Sequence, residues 1–423
     1  MIATILVIAS LLAGFRWPGV LIAGALLTYQ AGALSGIANL STLYVVAALM
    51  ISIYVGRRSL RRLRVGAIDA AFLAFLSIYV MTVLYSPAAA DGFSEVFQIL
   101  LPAVSLYVLG RLCTSSVDLR VLVVQVVGGV LVLGALYGIL LYFNRGLAVS
   151  GRLGIGDSNA VGISQAFPLM LVAGVVAVYN LSNRKKFLLA SLALMSTAII
   201  FYVSLISATR SVYIATVASL ILLLTISAAR MRVWTFVGVV TLVGVILAPF
   251  LGAAIGSSDA QGGINRLLMN FRSGDFRLDL SGRLRLQQQE LGWELFQDHP
   301  VFGTGLGGYD EITQRGYPHN MLLEVGSQSG IVGLSLLAIY ISTLYWVGLQ
   351  ISKARPYAWL LLAFLTAALV HMQLSFALFM AKPLFLITGV LAAYSTIYLT
   401  KIGKRSVPKG NEIRARSAFP AKP

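Results

Sequence analysis

Charge is what this sequence has least of. Only 11% of its 423 residues are Asp, Glu, Lys or Arg, against roughly a quarter in an ordinary soluble domain, and that deficit excludes a soluble globular protein. A single cysteine, Cys113, leaves no intramolecular disulfide and no Cys-rich metal site. Three histidines, His299, His319 and His371, make a His-based zinc cage a poor expectation, and no metal or other cofactor is expected. Acids are scarcer than bases, 15 against 32, and the resulting net charge of +17 would point to nucleic acid in a soluble chain. Here the bases must first be placed on a topology, and no nucleic-acid partner is expected. A cleavable signal peptide is not expected either, because residues 1–14 lack a basic start and the apolar run continues past Arg16.

What fills the chain instead is apolar: 58% of the residues are hydrophobic. Forty glycines and twelve prolines suit such a chain, since both are commoner in transmembrane helices than in soluble ones. A span takes about 20 apolar residues. Runs near 20–34, 40–55, 68–85, 96–109, 119–143, 160–179, 187–205, 212–227, 233–251, 331–349, 358–370 and 376–399 therefore predict an all-α polytopic membrane protein with about twelve transmembrane helices. Residues 2–15 read either as a separate short span or as the start of a bent first helix, interrupted at Arg16, Trp17 and Pro18. The chain divides into transmembrane helices over 1–251, an extracytoplasmic loop domain over 252–329, C-terminal helices over 330–400 and a basic tail over 401–423.

Lys and Arg in short loops mark the cytoplasmic side. Arg57, Arg58, Arg61, Arg62 and Arg64, then Arg111 and Arg120, then Arg184, Lys185 and Lys186, then Arg230 and Arg232, then Lys353 and Arg355, and finally the tail, all fall on one side. They read as topology signals that also attract anionic lipid. The long loop breaks that bias, with six arginines against nine acids, and fits the opposite, outer face. A loop of that length without structure would be unusual, so it is expected to contain short helices.

Within the loop, residues 281–297 read as an amphipathic helix with Ser281 as N-cap. Arg283, Gln287, Glu290 and Glu294 share one face and Leu284, Leu291 and Leu295 form the apolar stripe beside it. Arg283 sits in the first turn, where the helix dipole disfavours a cation. It either pairs with Asp279 or Glu290 or attends an anion. The following His299-Pro300-Val301-Phe302-Gly303-Thr304-Gly305-Leu306-Gly307-Gly308 satisfies G-x-G-x-x-G, but no strand precedes it, so a glycine-rich turn of close backbone approach is expected rather than a dinucleotide site. Gly326, Gly330 and Gly333 recur at 4 and 3, the pattern of one smooth helix face. His319-Asn320 opens that helix. Arg210 lies midway in an apolar stretch too long for one span, hence at an outer turn, where a charge needs a partner or a task. Arg152 and Asn159 form a weaker candidate pair on the same side.

These residues resemble the O-antigen ligase and polymerase superfamily. Its hallmark is a histidine followed by Asn, Ser or Gln, nine residues, then G-x-x-G, and His319, Asn320, Gly330 and Gly333 fit it. The stretch from His299 to Gly307 resembles the family's hPlfGvGlg signature, Arg210 its arginine at the outer end of a mid-chain helix, and Arg283 its arginine near the start of the loop helix. The family's usual Pro-Asn reads Ser158-Asn159 here. The resemblance implies a GT-C-type glycosyltransferase of the bacterial inner membrane, with its active site on the periplasmic side. The donor is then an undecaprenyl-diphosphate-linked glycan, and the acceptor a sugar of the lipid A core for a ligase or the next repeat unit for a polymerase. The compact single loop and complete histidine motif favour the ligase.

Such chemistry needs cations for the departing diphosphate, which arginine supplies as a planar, permanently charged fork, and a base for the acceptor hydroxyl, which histidine supplies near neutral pH. Arg210 and Arg283 are assigned to the diphosphate and His319 to the base, and the reaction is expected to invert the anomeric carbon without a metal. Asn320, His371 and Lys382 are further candidates for lining the site, alongside Arg152 and Asn159. The competing class is a lipid-linked glycan transporter, but such proteins place substrate at the midplane between related halves, and no internal repeat is found here.

Overall fold

The computed structural model describes residues 2–37, 39–57, 64–144, 146–147, 153–154, 160–207, 209–227, 280–355 and 357–405. The described residues form fifteen α-helices: α1 (Ile2–Gly14), α2 (Pro18–Ser35), α3 (Leu40–Gly56), α4 (Ala67–Met81), α5 (Ala89–Ser116), α6 (Leu119–Phe143), α7 (Ala160–Ile163), α8 (Phe167–Asn183), α9 (Phe187–Ser207), α10 (Arg210–Ser227), α11 (Leu280–Asp298), α12 (Gly308–Thr313), α13 (Met321–Ala354), α14 (Ala358–Ser375) and α15 (Lys382–Arg405). Two-residue strands β1 (Gly146–Leu147) and β2 (Leu153–Gly154) pair antiparallel beyond α6.

Eight helical stretches among the described residues are long and apolar enough to cross a membrane, and four shorter apolar helices, including Ile2–Gly14 and Leu40–Gly56, accompany them. The expected run at 233–251 lies outside the described residues. The first apolar run is a helix of its own: Pro18 starts α2, where its missing N–H costs nothing. Three expected runs differ from the single helices expected. The run at 160–179 is broken by a 3₁₀ turn at Ser164–Ala166, and Pro168 lies in the first turn of α8. The run at 376–399 opens on a 3₁₀ turn at Leu378–Met380 before α15. The third, α13, begins ten residues before the expected 331 and kinks at Gly330 (φ 59°, ψ −158°), so Gly326, Gly330 and Gly333 do not form one smooth face.

The helices pack closely where side chains are small. α15 lies along α5 so tightly that a Cβ on Gly389 would stand 2.0 Å from the carbonyl oxygen of Tyr107, the small-residue contact that replaces a hydrophobic drive inside lipid. Aromatic rings fill the space beside it: Phe72 stacks on Tyr107 at 4.8 Å and Phe75 on Tyr340 of α13 at 5.8 Å.

α4 spans between two polar ends. At its start Asp69 accepts from Arg111 and Tyr107 of α5, and Arg111 also donates to the Arg64 carbonyl. Arg111 is only 8% exposed, so a residue the sequence suggested as a topology charge is a buried structural partner. At the far end of α4, Tyr79 donates to Gln328 of α13 and Tyr85 to the Phe302 carbonyl. The candidate site lies at this far end.

Candidate functional site

The site is organised by a local irregularity. His319 has φ +55°, a left-handed conformation uncommon for a residue with a side chain. Asn320 then caps α13, its side-chain oxygen accepting from Leu323 N at 3.0 Å while Nδ2 donates to the Gln373 carbonyl at 3.1 Å. The His-Asn pair thus turns the chain sharply and ties the start of α13 to the end of α14.

At that end stands Ser375. Its carbonyl oxygen lies 3.1 Å from Nδ1 of His319. A carbonyl only accepts, so Nδ1 carries the proton and Nε2 is left with a lone pair. The Ser375 hydroxyl accepts from Arg285 at 3.1 Å and sits 3.0 Å from the Ser211 hydroxyl. Arg285 donates from the same nitrogen to the Leu374 carbonyl at 3.1 Å. One serine therefore joins an imidazole, a guanidinium and the first turn of α10, which Arg210 begins.

Electrostatics follow from this packing. Burial lowers the His319 pKa from its ordinary 6.5, the Arg285 charge lowers it further, and the Ser375 carbonyl opposes both. The imidazole is held neutral near pH 7. The Tyr317 ring lies 4.3 Å from the imidazole, and burial raises the phenol pKa.

The helix predicted at 281–297 is present as α11, with Ser281 inside its first turn instead of capping it. Arg283, Gln287, Glu290 and Glu294 are all exposed, Leu295 is buried and Leu291 half-buried, while Leu284 at the helix start is 42% exposed. Arg283 is accordingly on the exposed side of α11 among the described residues. Arg285, two residues and about 200° further round the helix, is the arginine that reaches Ser375 beside His319. The sequence singled out Arg283 instead, for its place in the first turn and its match to the family's loop-helix arginine.

The glycine-rich segment makes the expected close approach, and its partner is the kink of α13. Thr304 N donates to Ser327 O at 2.8 Å, Gly305 N to Gln328 O at 2.9 Å and Ile331 N to Pro300 O at 2.8 Å. These bonds fill the helical positions that the Gly330 break leaves open. A Cβ on Gly330 would stand 2.3 Å from the Val301 backbone, and one on Gly303 2.3 Å from that of Gln328.

The remaining candidates separate. Asn320 is a structural cap. His371 is 2% exposed, lies one turn before Ser375 on α14 and meets Phe376 edge-on at 4.7 Å. Lys382 donates to Ser41 of α3 at 2.7 Å. Neither shares a described hydrogen bond with the His319 group. Arg152 and Asn159 lie outside the described residues. Ser211 and Ser375 carried no sequence signal, being two serines 164 positions apart in apolar surroundings. Among the described residues no group of three or more His, Cys, Asp or Glu side chains converges as a metal-binding set.

Residues 195–338 match the family model described as O-antigen ligase. The matched stretch begins within α9 and carries Arg210, Ser211, Arg285, His319 and the Gly330 kink. It supports the O-antigen ligase superfamily and an O-antigen ligase- or polymerase-type membrane enzyme. No curated protein matches the chain.

Proposed function

We propose that this protein is an O-antigen ligase, transferring a glycan from undecaprenyl diphosphate to a sugar hydroxyl of the lipid A core at the periplasmic face of the inner membrane. The observation that carries the reading is the Ser375 junction: a histidine with a bare Nε2 and a guanidinium held by the same residue. A sugar diphosphate already has a good leaving group. The protein must bind that anion, stabilise the charge that grows on it, and deprotonate the attacking hydroxyl.

Each task finds a group. His319 Nε2 takes the proton of the acceptor hydroxyl as its oxygen attacks the anomeric carbon. The bond from that carbon to the phosphate oxygen breaks, inversion results, and undecaprenyl diphosphate leaves with the electron pair. Arg285, in place of Arg283, and Arg210 bind the diphosphate. Arg210 begins α10, whose N-terminal dipole also favours an anion. With two guanidiniums carrying the charge, turnover needs no metal ion, and EDTA is expected to leave it unchanged.

The test is deletion of the gene in its host with complementation by wild type and His319→Ala, running lipopolysaccharide and lipid-linked glycan side by side. Bare core with long glycan stranded on the carrier supports the ligase, and His319→Ala should reproduce it. Core capped by a single repeat would make the protein a polymerase of the same superfamily. Purified protein that moves the donor lipid without releasing undecaprenyl diphosphate would make it a transporter.

A further inference from the structure

Glu324 is an ionisable side chain in the interior of the helical body, 4% exposed, one turn into α13. A carboxyl group at such a place is costly unless it does something. Its Oε2 accepts from the backbone N–H of Leu378 at 2.8 Å. That amide needs a partner from elsewhere. The chain at Phe376 and Ala377 is extended (ψ 155° and 163°), so the 3₁₀ turn at Leu378–Met380 starts with no preceding helical carbonyl to accept from it. Glu324 therefore caps this turn from a different helix, while Gln165 donates to Met380 O at its other end.

The turn is three residues from Ser375, and the first turns of α13 hold the whole connection. Asn320 donates to Gln373 O, Leu322 N donates to Gln373 Oε1 at 3.3 Å, His319 engages Ser375 O, and Glu324 engages Leu378 N. Before Ser375 the backbone is fixed by α14 and the Asn320 contact. After it the described anchor from α13 is Glu324. We propose, on the reading of His319 as base given above, that Glu324 is a positioning residue: by holding Leu378 N–H it fixes the Ser375 carbonyl that keeps His319 in its Nε2-basic tautomer. What the turn requires of Glu324 is an acceptor oxygen.

The experiment uses the full chain in lipid nanodiscs and combines two readouts. One is ¹⁵N NMR of the histidine ring nitrogens in the resting protein, with His319→Ala to assign the signals. The other is steady-state release of undecaprenyl diphosphate from an undecaprenyl-diphosphate-linked repeat unit with core-only lipopolysaccharide. Glu324→Leu is expected to mix the His319 tautomers and to lower kcat roughly 10- to 100-fold with KM for the donor unchanged. Glu324→Gln, which keeps an acceptor oxygen, should restore the wild-type tautomer and a rate within about threefold. Leu378→Pro removes the donor at a position whose preceding residue is already extended. It should reproduce the mixed tautomers should the leucine variant not fold. Wild-type tautomer and kcat in Glu324→Leu would overturn the proposal. So would a Glu324→Gln variant as slow as Glu324→Leu, since the carboxylate itself would then be the requirement. Because the tautomer is read without substrate, absence of transfer by the wild type would count against the ligase reading alone.

Discussion

The Arg285 guanidinium meets the Ser375 hydroxyl at 3.1 Å, on the residue whose carbonyl holds the His319 ring. Arg283, on the same helix, is exposed to solvent. If the diphosphate is bound beside His319, the two arginines must differ sharply in consequence. Arg285→Ala is expected to lower kcat/KM for donor consumption by roughly 100- to 1000-fold, the range for removing one group that stabilises developing charge. Arg283→Ala should stay within about threefold, as an exposed charge weakly coupled to the site. Arg285→Lys should recover only part of the loss, because an ammonium cannot form the forked contact. Equal effects of the two alanine variants would return the role to Arg283.

The His319 titration gives a pH prediction whose sign is fixed by its surroundings. A general base works when neutral, so kcat/KM falls as pH drops through the pKa of the free enzyme. Burial and the Arg285 charge both lower that pKa from 6.5. The acid limb is therefore expected below pH 6.5, with full activity at neutrality. Arg285→Gln removes one of the two lowering influences, so the acid limb of its residual rate should move upward. A limb that stays put in this variant would mean that the charge does not act on His319.

How far the sequence revealed all this depended on whether the information was local. The apolar runs and the amphipathic loop helix follow from periodicity: the loop helix is recovered to within a residue at each end and the apolar runs among the described residues fall in helices, with α13 beginning ten residues early. His319-Asn320 was visible as a motif, and its reason is now physical: a left-handed residue followed by a side-chain cap. Arg285 carried no such signal, because the first-turn position and the motif match both point to Arg283, whereas the side that packs is set by what lies beneath α11. Ser375 and Ser211 meet only through the tertiary fold. The interruptions at Ser164–Ala166, Leu378–Met380 and Gly330 were missed for a related cause: hydropathy averages over a turn and cannot register a backbone break stabilised by a distant segment.

The Gly330 break yields its own test. Gly330 combines a positive φ with backbone contact, an added Cβ lying 2.3 Å from Val301 C and O, and neither atom can rotate away. Gly330→Ala should thus destabilise the protein by roughly 3–5 kcal/mol, combining backbone strain with overpacking. Thermal unfolding in detergent measures it. Gly128, whose added Cβ meets nothing within 4 Å, is the matched control. Its replacement by alanine within α6 should be neutral or slightly stabilising.

The last prediction concerns the end of α4 remote from the site. Asp69 and Arg111 form an ion pair with side chains 2% and 10% exposed, completed by Tyr107 and the Arg64 carbonyl. A buried pair contributes less than its Coulomb attraction suggests, because both partners lost their hydration. Removing one partner strands the other. Asp69→Leu is expected to cost about 3–5 kcal/mol, and the double variant Asp69→Leu, Arg111→Met should recover most of that loss. Since this cluster sits at the opposite end of α4 from Tyr79 and Gln328, the double variant should release undecaprenyl diphosphate at the wild-type rate per folded molecule. Thermal unfolding and donor turnover measured on the same preparations check both parts. A stable double variant with lost turnover would mean that the two ends of α4 are coupled, so that the pair serves the reaction as well as the fold.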